Sequence, residues 1–136
     1  MARRVIKTSK RLAAERQIHA AIAHFRAGDF ECAITLCSAA EGQIPEPADL
    51  NYFLFARLKQ VGAKNPASNG EKDDFNFSSN WMKHGIGADE VEIEEWIVKA
   101  WLLRAISNYR GTYGIFTPEM TALLEAGRRS QEAKQE

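Results

Sequence analysis

Residues 23–42, AHFRAGDFECAITLCSAAEG, hold a glycine–aspartate pair between two stretches whose apolar residues recur three and four apart. Upstream, Ala14, Ile18, Ala21, Ile22 and Phe25 fall on one stripe of a helix that Ser9 would cap and Gly28 would end. Downstream, Asp29 is placed to cap a second helix whose stripe is Phe30, Ala33, Ile34, Cys37, Ala40 and Ile44. So short a turn brings the two stripes face to face in an antiparallel helical hairpin, which Pro45 and Pro47 close.

The helical pattern continues along the chain. A third helix is expected from Leu50 to Val61, with Phe53, Leu54, Leu58 and Val61 inward and Tyr52 and Phe55 widening its apolar surface. Gly62 ends it, and GAKNPASNGEKDD at 62–74 has the composition of a surface loop. Asp89 heads the longest expected helix, Glu90 to Tyr109, with Glu92, Glu94 and Glu95 near its start, where the helix dipole favours negative charge. Ile93, Trp96, Ile97, Ala100 and Leu103 occupy one face of it. Val98, Trp101, Leu102, Ala105, Ile106 and Tyr109 occupy most of the other. A helix apolar nearly all round is either central to a bundle or buried by a second subunit. Thr117 and Pro118 then supply an N-cap and a first-turn proline to a helix holding Met120, Leu123 and Leu124, expected to stop at Gly127. No stretch alternates long enough for a strand. The expectation is an all-α compact bundle of about five helices plus one short helix: a single domain at 1–127, then a frayed charged tail at 128–136.

The 136 residues suit one core, and 45% apolar with 26% charged residues is the balance of an ordinary globular chain. Lysine plus arginine equals aspartate plus glutamate, so there is no overall bias toward nucleic acid. The charges are nonetheless segregated. Residues 1–26 carry seven basic groups against Glu15 alone, and residues 71–95 carry eight acids against Lys72 and Lys83. Without interleaved aromatics, the basic stretch reads as a solvated surface, opposed to the acidic one within the fold or across a dimer. Cys32 and Cys37, five apart on a helix, suit neither a local disulfide nor a metal pair and read as small buried hydrophobes of a reducing compartment. No apolar run approaches the roughly 20 residues of a membrane span, and the N-terminus lacks the hydrophobic centre of a secretion signal, so a cytoplasmic protein is expected.

Ala21, Gly28, Phe30, Ala33, Ala40 and Pro45 have the spacing of one tetratricopeptide hairpin. No second copy follows at the repeat distance of about 34 residues, and a solenoid needs several. The segment AHFRAGDFECAITLCSAAEG also resembles the first hairpin of HEPN domains, helical bundles often found in the RNases of toxin and defence systems. That resemblance implies a bundle and, as the alternative function, an RNase or RNA-binding protein. The family's catalytic signature is an arginine on a late helix with a histidine roughly four to six residues later. Here Arg104 is followed by AISNYRG and no histidine comes after it, so such a domain would be degenerate. NWMKHG at 80–85, RAISNYRG at 104–111 and FTPEM at 116–120 together resemble a group of proteobacterial helical proteins that share an Asn-aromatic-x-Lys-His stretch; that resemblance implies no chemistry.

The stretch FNFSSNWMKHG, residues 75–85, concentrates candidate chemistry. As a self-anchoring short helix, it would place Phe77 and Trp81 on one face beside Phe75 and Met82. Gly85 would be its C-cap, and Lys83 and His84 would lie in the last turn. As a site, Asn80, Lys83 and His84 would converge with Arg104 and Asn108 on a small anion, the arginine giving a bidentate fork and the lysine a point charge. Arg104 sits in the apolar run WIVKAWLLRAI and must be paired; Glu41, also near an apolar stripe, is the plainest partner. His19 and His24 diverge around their helix and form no metal site, no phosphate loop or nucleophile arrangement is present, and no cofactor is expected. The resulting expectation is a binding or interaction protein, a homodimer through its long helix, with a protein partner or a small anionic ligand as its target.

Overall fold

A computed structural model describes residues 3–45, 81–85 and 87–135. The fold is all-α. Among the described residues its helices are α1 (Lys10–Ala27), α2 (Phe30–Gln43), α3 (Glu95–Tyr113) and α4 (Pro118–Gln135), with one further helical turn at 81–84. The helix expected at 50–61, the loop at 62–74 and Asn80 lie outside the described residues.

The hairpin forms for the reasons its residues supply. Ser9 is extended at the head of α1 and its hydroxyl accepts the Leu12 N–H at 3.1 Å. At the other end Gly28 takes φ +85°, a left-handed conformation that glycine enters without steric cost. The N–H of Gly28 then donates to the Phe25 carbonyl and that of Asp29 to the His24 carbonyl, the paired bonds of a Schellman motif. Phe25 and Phe30 stack across the turn, 5.8 Å between centroids. Asp29 does not cap α2 with its side chain; its carboxylate lies 3.3 Å from His24 Nδ1 instead.

Ala14 and Ala21 on α1 and Ala33 and Ala40 on α2 are all fully buried, as are Ile18, Ile34 and Cys37 beside them. Alanine at seven-residue spacing on both helices lets the backbones approach closely while the isoleucines fill the flanks. α3 lies across both helices and buries Ile97, Val98, Trp101, Leu102, Ala105, Ile106 and Tyr109. α4 packs on α1 and contributes Met120. No helix among the described residues is long and apolar enough to cross a membrane.

Three boundaries differ from the sequence expectation. α3 begins at Glu95, not Glu90. Residues 90–94 are not helical and Glu94 is extended; Val91 and Ile93 are half-buried, while Glu90, Glu92 and Glu94 face solvent. That alternation disperses acids that a helical start would have crowded together. α3 then runs past Tyr109 to Tyr113 and ends where Gly114 takes φ +79° and donates to the Arg110 carbonyl. α4 continues through Gly127 to Gln135 as an exposed helix rather than fraying there. The ion pairs Arg129–Glu125 at 3.6 Å and Arg128–Glu132 at 3.9 Å span this region at i, i+4 spacing. α3 is also one-sided within the chain: of the residues expected to be covered by the bundle or by a second subunit, Trp96 and Leu103 are 47% and 38% exposed.

Gly28→Ala separates backbone strain from crowding, because a Cβ at that position would meet nothing within 4 Å. The substitution should lower stability by about 1 kcal/mol in urea unfolding. Gly42→Ala, at an equally open helical position, should raise it by roughly 0.5 kcal/mol.

Candidate functional site

The polar residues singled out in the sequence divide between two places. The first is the seam between α2 and α3. Glu41 lies one helical step beyond the buried Ala40, and Arg104 lies one step before the buried Ala105, so both side chains leave the core at its edge. Their carboxylate and guanidinium form an ion pair with only 15% and 17% of the side chains exposed. Asn108, one turn further along α3, donates to Glu41 Oε1 at 3.2 Å. The Arg104 guanidinium also lies over the Trp101 ring, 5.1 Å from its centroid. One carboxylate is thus held by both α3 groups that the sequence offers to an anion. Near it, the Cys37 thiol is driven well above the usual thiol range by burial, with the Glu41 charge adding to the effect.

The second place is the helical turn at 81–84. Gly85 takes φ +58° and donates to the Trp81 carbonyl at 2.9 Å, which stops the helix. The Trp81 indole N–H reaches the Ala88 carbonyl at 2.7 Å, and Met82 packs against the core beside the Thr35 hydroxyl. Lys83 and His84 are exposed. The turn lies over α2, where Trp81, Met82, Gly87, Ala88 and Asp89 form one wall of a groove of about 700 Å³ whose other wall includes Glu31, Cys32, Thr35 and Leu36. Arg104, Asn108, Lys83 and His84 are not among the residues lining that groove. Of the five candidate ligands, then, Arg104 and Asn108 meet at Glu41, Lys83 and His84 are exposed, and Asn80 is outside the described residues.

Other polar contacts cross helix seams without having been read from the sequence. The Arg11 guanidinium donates to the Tyr109 hydroxyl at 3.3 Å and sits over the Tyr113 ring at 5.0 Å. His19 Nε2 lies 2.8 Å from Thr117 Oγ1 and 3.4 Å from Glu119 Oε2, fastening α1 to the head of α4. Thr117 is buried and its hydroxyl accepts the Met120 N–H at 3.4 Å, the cap that its place before Pro118 implied. Thr112 donates to the Pro45 carbonyl at 2.9 Å. The partners across each seam are far apart in sequence, so no local spacing announced them. Cys32, expected inside, is exposed, while Cys37 is buried; both are free thiols.

Among the described residues no cluster of three or more His, Cys, Asp or Glu side chains is placed to hold a metal ion. The chemistry visible at the α2–α3 seam is charge neutralisation within the fold.

Removing one member of the Glu41–Arg104 pair should cost on the order of 2 kcal/mol, below the roughly 3–5 kcal/mol of a fully buried pair because both groups keep some water. The double variant Glu41→Leu/Arg104→Leu should recover most of that loss, and a double-mutant cycle in urea should show coupling above about 1 kcal/mol. A thiol reagent should modify Cys32 in the native protein and reach Cys37 only on unfolding.

Comparison of the chain with protein-family models, with curated proteins and with solved structures finds no match.

Proposed function

We propose that the chain is a non-catalytic helical interaction module that pairs with a second copy of itself through the outer face of α3. The carrying observation is the exposure of Trp96 and Leu103, two turns apart on one side of that helix. Beside them lies a groove of about 580 Å³ between α3 and α4, lined by Phe25, Leu102, Leu103, Leu123 and Leu124. Large apolar side chains beside a concave apolar surface are the usual mark of a contact face.

The charges on that face suit a copy of itself. Glu95 and Lys99 flank Trp96 and pair with each other at 3.6 Å, both more than half exposed. An antiparallel two-fold pairing whose axis crosses α3 midway between Glu95 and Lys99 would set each glutamate against the copy's lysine. Arg128 and Lys134 of α4 stand at the rim of the same groove.

The same geometry weighs against the other readings. Arg104 already holds a carboxylate of its own chain, so a small anion would have to displace Glu41, and an RNase role would lack both an available arginine and the following histidine.

Sedimentation velocity on the intact protein at about 50 µM should give twice the chain mass, at a concentration where a modest self-affinity is populated. Leu103→Asp, at a position already partly in water, should give a folded monomer. A monomeric wild type, or a Leu103→Asp variant that stays dimeric, overturns the proposal.

A further inference from the structure

The groove beneath Trp81 and the arm ahead of α1 match each other. Residues 3–9, RRVIKTS, are exposed throughout, and Val5 and Ile6 are 81% and 71% exposed. Two neighbouring branched apolar residues held in water between Arg3, Arg4 and Lys7 form a short, basic and apolar ligand. The groove offers the complement. Leu36 and Thr35 of α2 form one wall, Trp81 and Met82 the other, and Glu31 and Asp89 place negative charge on its lining. Successive side chains of an extended segment point to opposite sides, so Val5 and Ile6 would meet opposite walls while the basic residues reach the acids.

The arm cannot fill the groove of its own chain. Val5 precedes Ser9 by four residues, a span of at most ~14 Å when fully extended. His24, at the far end of the groove, lies fifteen residues beyond Ser9, or ~22 Å along α1. By the same rise Leu36, level with Ala21 in the hairpin, lies ~18 Å from Ser9, so Val5 and Ile6 fall short of the apolar wall in cis.

We infer that residues 3–8 of one copy dock into the groove between α2 and residues 81–85 and 87–89 of a second copy. This contact uses a surface separate from the α3 face and does not depend on it. It sets the basic start of one chain against Asp89, within the acidic stretch of another.

Cys32 lines the groove and is exposed, which supplies a reporter. In the full-length Val5→Cys variant, mild air oxidation should join the introduced thiol of one copy to Cys32 of another. The product is a covalent dimer on a non-reducing gel, well above the wild-type background. The band should vanish with Cys32→Ser. It should fall roughly fivefold or more in about 0.5 M NaCl, or with Glu31→Lys/Asp89→Lys, because screening weakens pairing between exposed charges. It should persist when Leu103→Asp is added, which distinguishes this contact from the α3 face. No covalent dimer, an intrachain disulfide alone, or a yield indifferent to salt and to charge reversal would overturn the inference.

Discussion

The close approach of α1 and α2 is the constraint on which the other contacts rest. Four alanines with no exposed surface set that distance, and any larger side chain at Ala14, Ala21, Ala33 or Ala40 would force the helices apart. α1 touches each of the other three helices, so its position relative to α2 fixes the bed in which α3 lies and the flank on which α4 lands. The isoleucines at 18, 22 and 34 supply much of the apolar burial, about 2 kcal/mol each, but they do so only because the alanines hold the gap at their width.

Among the described residues, the polar contacts that join helices sit at their seams. Glu41 with Arg104 and Asn108 ties α2 to α3, Arg11 with Tyr109 and Tyr113 ties α1 to α3, and His19 with Thr117 and Glu119 ties α1 to α4. Each pairs a side chain too polar for the core with a partner on the neighbouring helix. Such pairs add little net stability, but a register shift that separates them leaves a half-buried charge or hydroxyl unsatisfied. They select one arrangement among several that apolar packing would accept.

Local signals were legible in the sequence where one residue type dictates one conformation. Ser9, Gly28 and the Thr117–Pro118 pair are of that kind, and so is Gly85 at the end of the turn. The Glu41–Arg104 pair was also readable, because an arginine within WIVKAWLLRAI has few ways to be satisfied. Competing signals misled at residues 89–94, where helix-dipole logic favoured an early start for α3. The alternation of Val91 and Ile93 with three glutamates decided otherwise, and Glu94 instead accepts the Trp96 indole N–H. Tyr113 and Gly114 were passed over because the apolar stripe fades after Tyr109, although the glycine is the true stop. The persistence of α4 past Gly127 depends on pairs between Glu125, Arg128, Arg129 and Glu132, a cumulative effect that no single residue reveals. A convergence of Lys83 and His84 with Arg104 is a matter of tertiary proximity, for which one sequence carries no signal.

The order of elements has a consequence for synthesis on the ribosome. The α1–α2 hairpin is closed by contacts short in sequence, and its turn is fixed by two backbone hydrogen bonds and a phenylalanine stack. It is therefore able to form once residues 1–45 have emerged. The surface that α3 covers on α1 and α2 lacks that helix until Glu95–Tyr113 has been translated. At about 5–20 residues per second that interval lasts several seconds, during which the nascent hairpin lacks its α3 cover. Holdases that shield apolar surface near the exit tunnel would be expected to engage this chain early and release it when α3 arrives.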